Sequence, residues 1–195
     1  MSRTIAALKR DHANIAKLLD ILESEILAIK VGKTPDYSLM QDIMRYLTQH
    51  SDRFHHPKED LIFARLLKRD TAIRAEVEAL IEEHILIGLA GQEFAGLLCA
   101  SGVDSIESRE QLGASGLDYI RNLREHMSRE EGKLFPIASV VLTKKEWHFI
   151  DAAVDAINDP LFDDMTADDY QRLYRLITEQ SESGRWAMNP DPPNL

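Results

Sequence analysis

The chain has 195 residues, a length that suits one domain with a real core and a small appendage. Hydrophobic residues make up 44% and charged residues 29%, as in ordinary soluble globular proteins. The net charge of −10 argues against a dedicated surface for nucleic acid or anionic membranes, because such surfaces need clustered lysine and arginine. No stretch approaches a membrane span, and the first residues lack the apolar run of a signal peptide, so a cytoplasmic location is expected.

The first predicted helix begins at a cap from Ser2 or Thr4 and ends before Gly32, with Pro35 beyond it. Its apolar residues recur at steps of three and four, the spacing of one face of an α-helix. The series is unbroken only if His12 is counted as one of its members. The helix therefore carries one imidazole within an apolar stripe.

The second predicted helix spans about residues 37–67. Its apolar stripe slips by one residue between Phe54 and His55. Pro57 lies just after the slip, and an interior proline removes a backbone hydrogen bond and clashes with the carbonyl four residues before it. A kink or bulge is predicted here, and it is what turns His55 and Glu59 inward.

Two further amphipathic helices are predicted over about residues 73–98 and 112–137. His84 falls on the apolar stripe of the first of them. His126 and Glu130 fall on the stripe of the second without any adjustment of register. No segment shows the period of two that indicates a β-strand.

Four long amphipathic helices joined by short connections predict an all-α, up-down four-helix bundle over residues 1–140. A helical pair over residues 141–180 is expected to pack on the outside of the bundle. Each of its helices starts at a capping box, in Thr143-x-x-Glu146 and in Thr166-x-x-Asp169. The proline-rich residues 181–195 are predicted to form a flexible tail.

The four bundle helices carry buried groups that need a partner: His12, His55, Glu59, His84, His126 and Glu130. Burying such groups unpaired is costly, and residues four apart on one helix can serve one site. Four nitrogens and two carboxylates exceed what a single metal would use. With both glutamates bridging, two metals would each receive two imidazoles and two carboxylate oxygens, which leaves positions for a small ligand. Nitrogen and oxygen ligands without thiolate favour iron or manganese.

Three histidines stand apart from this set. His50 fits the part of the second helix's apolar stripe that precedes the slip. We interpret it as a group that supports a ligand and not as a ligand itself. His56 lies about 100° around the helix from His55, which indicates a supporting group or a residue at the pocket rim, with ligation left open. His148, on a late helix, is expected to be structural or exposed.

The motifs are Asp11-His12, His55-His56-Pro57-Lys58-Glu59-Asp60, and His126-Met127-Ser128-Arg129-Glu130-Glu131 before Leu134-Phe135-Pro136. In order and spacing they resemble the hemerythrin family, specifically its bacterial cation-binding HHE branch, over about residues 4–140. The resemblance implies an up-down bundle around a non-haem centre of two oxo- or hydroxo-bridged iron ions. It also implies bridging by Glu59 and Glu130 and the ligand set His12, His55, Glu59, His84, His126 and Glu130.

The chain departs from the oxygen carriers of this family. The carriers have two histidines four apart on the third helix, whereas here His84 is followed at that spacing by Gly88. The fourth helix has His-x3-Glu where the carriers have a longer spacing to aspartate. Loss of an imidazole at Gly88 is expected to open a coordination position. The expectation shifts from reversible oxygen carriage to a protein that binds, senses or reacts with dioxygen, nitric oxide or peroxide.

Two alternatives stay open. The first is a diiron redox enzyme that detoxifies peroxide or nitric oxide or helps repair iron–sulfur clusters. The repair role is weakened because repair members usually carry an additional N-terminal segment with cysteines, and this chain starts directly at the bundle. The second is an interaction module with a structural metal, whose late helices contact a protein partner. A homodimer is also left open. The residues considered for the contact surface are Trp147, Ile150, Tyr170 and Tyr174.

Overall fold

A computed structural model describes residues 2–69, 71–100, 105–154, 173 and 175, without the side chains of residues 50–53 and 71. Within these ranges the chain is helical and has no β-strand. Two π-helical segments, Leu47–His55 and Glu130–Leu134, each join two α-helices end to end. The α-helices are α1 (Arg3–Lys30), α2 (Tyr37–Tyr46), α3 (His56–Arg69), α4 (Arg74–Cys99), α5 (Ile106–Arg129), α6 (Phe135–Val141) and α7 (Lys144–Val154).

Four long helical elements build the bundle. They are α1, the continuous rod from α2 through the first π segment to α3, α4, and the rod from α5 through the second π segment to α6. Elements that follow one another in the chain pack side by side, and α5 packs back against α1. This closed order is that of an up-down bundle, so the predicted fold class is confirmed.

The helix ends of α1 and α2 follow the local sequence signals. Ser2 caps α1 by accepting a hydrogen bond from the backbone N–H of Thr4 at 3.2 Å. After α1, Gly32 adopts a φ of 76°, a conformation that favours glycine because it has no Cβ. Asp36 then caps α2 by accepting from the backbone N–H of Leu39 at 2.9 Å. Together these caps make the short connection that an antiparallel pair requires.

The first π segment is the predicted bulge. Pro57 is the second residue of α3, so it has no N–H to offer the carbonyl four residues earlier. A π-helix closes its hydrogen bonds over five residues instead of four, and the additional residue shifts the register of everything that follows. His55 and Glu59 are consequently 5% and 0% exposed. The prediction that a distortion beside Pro57 turns this pair inward is confirmed.

The second π segment differs from the sequence prediction, which continued the fourth helix unbroken through Ile137. Pro136 is the second residue of α6, in the same position relative to its π segment as Pro57. After the shift in register, Phe135 and Ala138 are buried, whereas Ile137 is only partly buried. The pattern of apolar residues alone did not reveal this shift, because Leu134 is buried in either register.

Close approach of α5 to its neighbours depends on Gly116. A Cβ atom added there would lie 2.5 Å from Cδ1 of Ile26 on α1 and 2.7 Å from Cζ of Phe94 on α4. Phe94 in turn stacks against Tyr119, whose ring is buried in this apolar layer. The part of the bundle around Gly116 is therefore tightly packed and apolar.

Helix α7 packs against α1 and α3 and completes the apolar layer that contains Leu66 and Leu134. Ile150 is fully buried in one cluster with Leu66 and Leu134, so it serves the core and not a contact surface. Asp151 accepts a hydrogen bond from the hydroxyl of Thr4 at 2.6 Å, which places a negative charge at the N-terminus of α1. The first helix of the predicted C-terminal pair thus packs on the bundle.

The predicted capping box at the start of α7 is present, since Glu146 accepts from the backbone N–H and the hydroxyl of Thr143 at 2.9 and 2.6 Å. The chain divides into two compact units, residues 1–159 and 160–195, and α1 to α7 all belong to the first. Of the second predicted helix of this pair, only Leu173 and Arg175 are described, and both are helical. Its predicted capping box at Thr166, the proposed contact residues Tyr170 and Tyr174, and the predicted tail over residues 181–195 lie outside the described residues. None of the helices described is both long enough and apolar enough to cross a membrane.

Candidate metal centre

The six residues singled out from the sequence meet in the middle of the bundle. His12 comes from α1, His84 from α4 and His126 from α5, and the remaining three are at or next to the π segments. His84 is the most accessible of the six, and its side chain is only 8% exposed. Apolar layers lie above and below, as on α1, where buried Leu8 and Ile15 flank His12. The structure therefore buries a highly polar cluster between two apolar layers.

The first group consists of His12, His55 and Glu59, whose potential ligand atoms lie within 4.8 Å of one another. The Nε2 atoms of His12 and His55 are 2.9 Å apart. Oε1 of Glu59 lies 3.4 Å from Nε2 of His12 and 3.2 Å from Nε2 of His55. Two imidazole nitrogens and a carboxylate oxygen thus face one point.

The second group consists of His56, Glu59, His84 and His126, also within 4.8 Å. Oε1 of Glu130 lies 3.4 Å from Nε2 of His84 and 3.2 Å from Nε2 of His126. The rings of His84 and His126 meet edge to face, with centroids 4.7 Å apart. This group offers one imidazole more than the first group.

His56 is the residue whose role the sequence left open, and the structure places it inside the second group. Its ring stacks on that of His84, with centroids 4.0 Å apart and an angle of 11° between the planes. Burial and the neighbouring imidazoles hold the pKa of His56 well below its usual value, which favours the neutral form that metal ligation requires. His56 thus contributes, from α3, a nitrogen that the third bundle helix does not provide at Gly88. The expected vacancy at Gly88 is accordingly offset from a neighbouring helix.

Each buried glutamate directs its two oxygens at different groups. While Oε1 of Glu59 faces His12 and His55, its Oε2 lies 3.5 Å from Nε2 of His84. Glu130 does the reverse, since its Oε2 lies 3.5 Å from Nε2 of His12 and its Oε1 faces the second group. Both carboxylates therefore span the space between the two groups.

Four further carboxylates hold the outer nitrogens of the histidines. The two shortest are hydrogen bonds, at 2.9 Å for His12 and 3.0 Å for His126, and the longest is an ion-pair distance of 3.7 Å for His84. A carboxylate on Nδ1 fixes the ring and leaves Nε2 facing inward, as is usual for metal-binding histidines. The pairs are Asp11 with His55, Asp60 with His84, Glu83 with His126, and Glu131 with His12.

These outer pairs form a closed ring around the bundle. Each helical element supplies one carboxylate to the histidine of the next element in chain order, and the fourth supplies the first. Sequence reasoning did not assign these roles, although each acid directly adjoins a candidate ligand. The signal was present as the pairs Asp11-His12, Glu59-Asp60, Glu83-His84 and Glu130-Glu131.

Without a metal, protons compensate the charge of the buried glutamates. Burial opposes the charge on His55, but Glu59 and Asp11 outweigh it and raise the pKa of His55 to about 10. Burial likewise opposes the charge on His84, and Glu130 and Glu59 raise the pKa of His84 to about 9. Because metal ligation needs neutral imidazole, a metal entering here would displace these protons.

Several of the potential metal-ligand atoms form no hydrogen bond. Both oxygens of Glu59, Oε2 of Glu130 and Nε2 of His126 are buried and have no hydrogen-bond partner in the described part of the protein. Buried polar atoms are rarely left in this state, since each one costs free energy of about 1–3 kcal/mol. Their convergence on the space between the two groups indicates a cation site.

The sequence matches the family model described as Hemerythrin HHE cation binding domain over residues 3–138. The chain belongs to this family. The resemblance carried by the sequence motifs is therefore confirmed, and membership implies a metal-binding helical bundle for which iron is the typical cation. A search of curated proteins finds no match.

Two further histidines of the sequence are not in the candidate ligand set. His148 is exposed on α7, in keeping with the sequence interpretation. The side chain of His50 lies outside the described residues, so its interpretation as a supporting group stays a prediction.

Proposed function

We propose that this HHE-family protein holds two iron ions in the centre of the bundle. The observation that carries the proposal is the convergence of four buried ligand atoms that have no hydrogen-bond partner in the described part of the protein. The first ion would be held by His12 and His55, and the second by His56, His84 and His126. Glu59 and Glu130 would bridge, because each directs one oxygen to either group.

The physiological role that this centre supports is binding, sensing or reacting with a small ligand such as dioxygen, nitric oxide or peroxide. When bound, paired iron ions supply one- and two-electron redox chemistry. The protein's own part is to neutralise their charge with two buried carboxylates, to hold the imidazoles in fixed orientation through the outer carboxylates, and to exclude bulk water with the apolar layers. A nitrogen-rich ligand set without thiolate favours iron over a structural zinc site.

Metal analysis tests the proposal directly. Chain purified from iron-supplied cells, or reconstituted anaerobically with ferrous iron, is expected to contain about two irons. Glu130→Ala is expected to lose iron because it removes one of the two bridges, whereas Glu125→Ala, which changes an exposed acid on the same helix, is expected to retain both. A wild-type chain that holds at most one metal after reconstitution would contradict the proposal.

Rapid mixing separates stoichiometric binding from turnover. The reduced, iron-loaded protein is mixed with dioxygen, nitric oxide or peroxide, with and without an excess of a chemical electron donor, while the absorption spectrum is followed. One equivalent of ligand consumed per centre indicates a sensor or carrier, whereas continued consumption of peroxide or nitric oxide indicates an enzyme.

A further inference from the structure

The second group of the metal centre adjoins an open cleft between α3 and α4. The cleft has a volume of about 520 Å³ and includes Asp60 at its lip. Its rim is apolar, since Ile85 and Leu89 are 62% and 58% exposed. Residues that line the cleft include His56, Ile81, His84, Ile85, Gly88 and Leu89.

Three of the four outer carboxylates are themselves held by a cation. Lys58, which is buried, lies 3.6 Å from Asp11 behind His55. Lys9 lies 3.8 Å from Glu131 behind His12. A charged pair behind an imidazole resists its rotation, because moving the ring would leave the carboxylate with fewer partners. The outer carboxylates of His55 and His12 therefore each have a cation within ion-pair distance.

The third such pair secures His126. Arg129 pairs with Glu83, and Glu83 in turn lies 3.0 Å from Nδ1 of His126. His126 is also only 2% exposed. Its ring is thus both enclosed and supported.

His84 lacks this support. Its outer nitrogen lies 3.7 Å from Asp60, which is beyond a normal hydrogen bond. The side chain of Asp60 is 54% exposed, and no Lys or Arg of the described residues lies within ion-pair distance of it. The ring of His84 also borders the cleft. Of the four histidines that contact an outer carboxylate, His84 is therefore the one whose carboxylate has the weakest support.

We infer that His84 is the exchangeable ligand of the metal centre and that the α3–α4 cleft beside it binds small uncharged molecules. This inference rests on the proposed function, because exchange requires a metal to be bound. The apolar rim favours uncharged ligands, and the exposed carboxylate of Asp60 at the lip disfavours anions. Gly88 lines the cleft one helical turn from His84 and adds no side chain to it.

Chemical complementation with imidazole tests the inference. His84→Gly and His126→Gly are each loaded with ferrous iron at about pH 8, where free imidazole is largely neutral. His84→Gly is expected to hold less iron than the wild type and to regain about two irons per chain when imidazole is added, because the cleft admits the probe. His126→Gly is expected to stay deficient, since its site is enclosed.

Two results of this comparison between variants would overturn the inference. A folded His84→Gly variant that imidazole does not restore overturns the inference, as does equal restoration of His126→Gly. If circular dichroism shows that His126→Gly does not fold, His55→Gly provides the enclosed comparison. The wild type loaded in the same way tests the proposed function separately, because a wild type that holds at most one iron contradicts the proposed centre whatever the variants do.

A second measurement leaves every ligand in place. In the reduced, iron-loaded protein, Gly88→Leu is expected to slow nitric oxide binding by about tenfold, well within the range over which association rates vary among variants of one site. Gly96→Leu makes the same change on the same helix, at a position where no atom lies within 4 Å of an added Cβ. Equal rates in the two variants would show that ligands do not use this cleft.

Discussion

Glu83 lies 3.0 Å from Nδ1 of His126, across the interface between α4 and α5. In the sequence Glu83 directly precedes His84, yet the structure assigns it to the histidine of the neighbouring helix. The same crossing relates Asp11 to His55. The adjacency of acid and histidine along the chain therefore marks the metal centre without revealing which side chains touch.

Removal of this outer carboxylate should weaken the centre without unfolding the bundle. Glu83→Ala is expected to lower metal affinity by about 10- to 100-fold, because the ring of His126 loses the group that orients it. Glu82→Ala changes an exposed acid one residue away and is expected to bind as the wild type does. Competition with a chelator measures both affinities, and equal values would show that the contact to His126 is dispensable.

His56 should act on one of the two metal positions. His56→Ala is expected to convert binding of two metals into one tight and one weak step, since the second group loses one of three imidazoles while the first keeps both. Calorimetric titration resolves the two steps. His148→Ala removes an exposed histidine from α7 and serves as the control. Unchanged binding in His56→Ala would assign this ring to packing alone.

Two glycines on α5 should respond oppositely to the same substitution. Gly116→Ala is expected to destabilise the protein by about 1–3 kcal/mol, because the new methyl group overlaps Ile26 and Phe94. At Gly113 the nearest atom to an added Cβ is 3.9 Å away, so Gly113→Ala is expected to stabilise the helix by up to about 1 kcal/mol. Denaturant unfolding of the two variants measures the difference, and equal effects would contradict the close packing at Gly116.

The contact between α3 and α7 should weaken in acid. Hydrogen bonds from Arg69 and Thr143 lower the pKa of Glu146 to about 2. A carboxyl group whose pKa is lower in the folded state contributes stability that is complete above its unfolded pKa and is lost as the pH falls towards the folded value. Glu146→Gln is therefore expected to be less stable than the wild type at neutral pH. The difference should shrink as the pH falls from about 4.5 towards 2.

Thermal unfolding followed at several pH values checks this prediction, with the metal-free protein used throughout so that metal release does not contribute. Glu78→Gln provides a control, because Glu78 forms only an exposed pair with Arg74 within α4. A difference between wild type and Glu146→Gln that stayed constant down to the acid limit would contradict the role of the ionised carboxylate.

Local patterns predicted much of the fold. The spacing of apolar residues located the helices, and Gly32 with Ser2 marked the ends of α1. The slip in the stripe next to Pro57 even indicated the first π segment. The second π segment was not predicted, because Leu134 faces inward in either helical register. The burial of Phe135 shows the shift in register.

The sequence was equally informative about which residues make the centre, and less so about their partners. Period and spacing placed six ligand candidates on inward faces, and the structure brings all six together. His56 could not be placed from its angle around the helix, because its position depends on how far the π segment rotates α3 against α4. Its stack on His84 is a contact between two elements, which no local pattern encodes.

The order of amino acids alone was enough to specify a helical bundle with a polar, metal-binding middle, because helix periodicity and the cost of burying unpaired histidine and glutamate are local properties of the chain. Only the tertiary structure decided how those groups divide into sets of two and three imidazoles, and which acid supports which ring. That division depends on the relative rotation and spacing of four helices. Those are fixed by packing, as at Gly116, and by the register shifts at the two π segments.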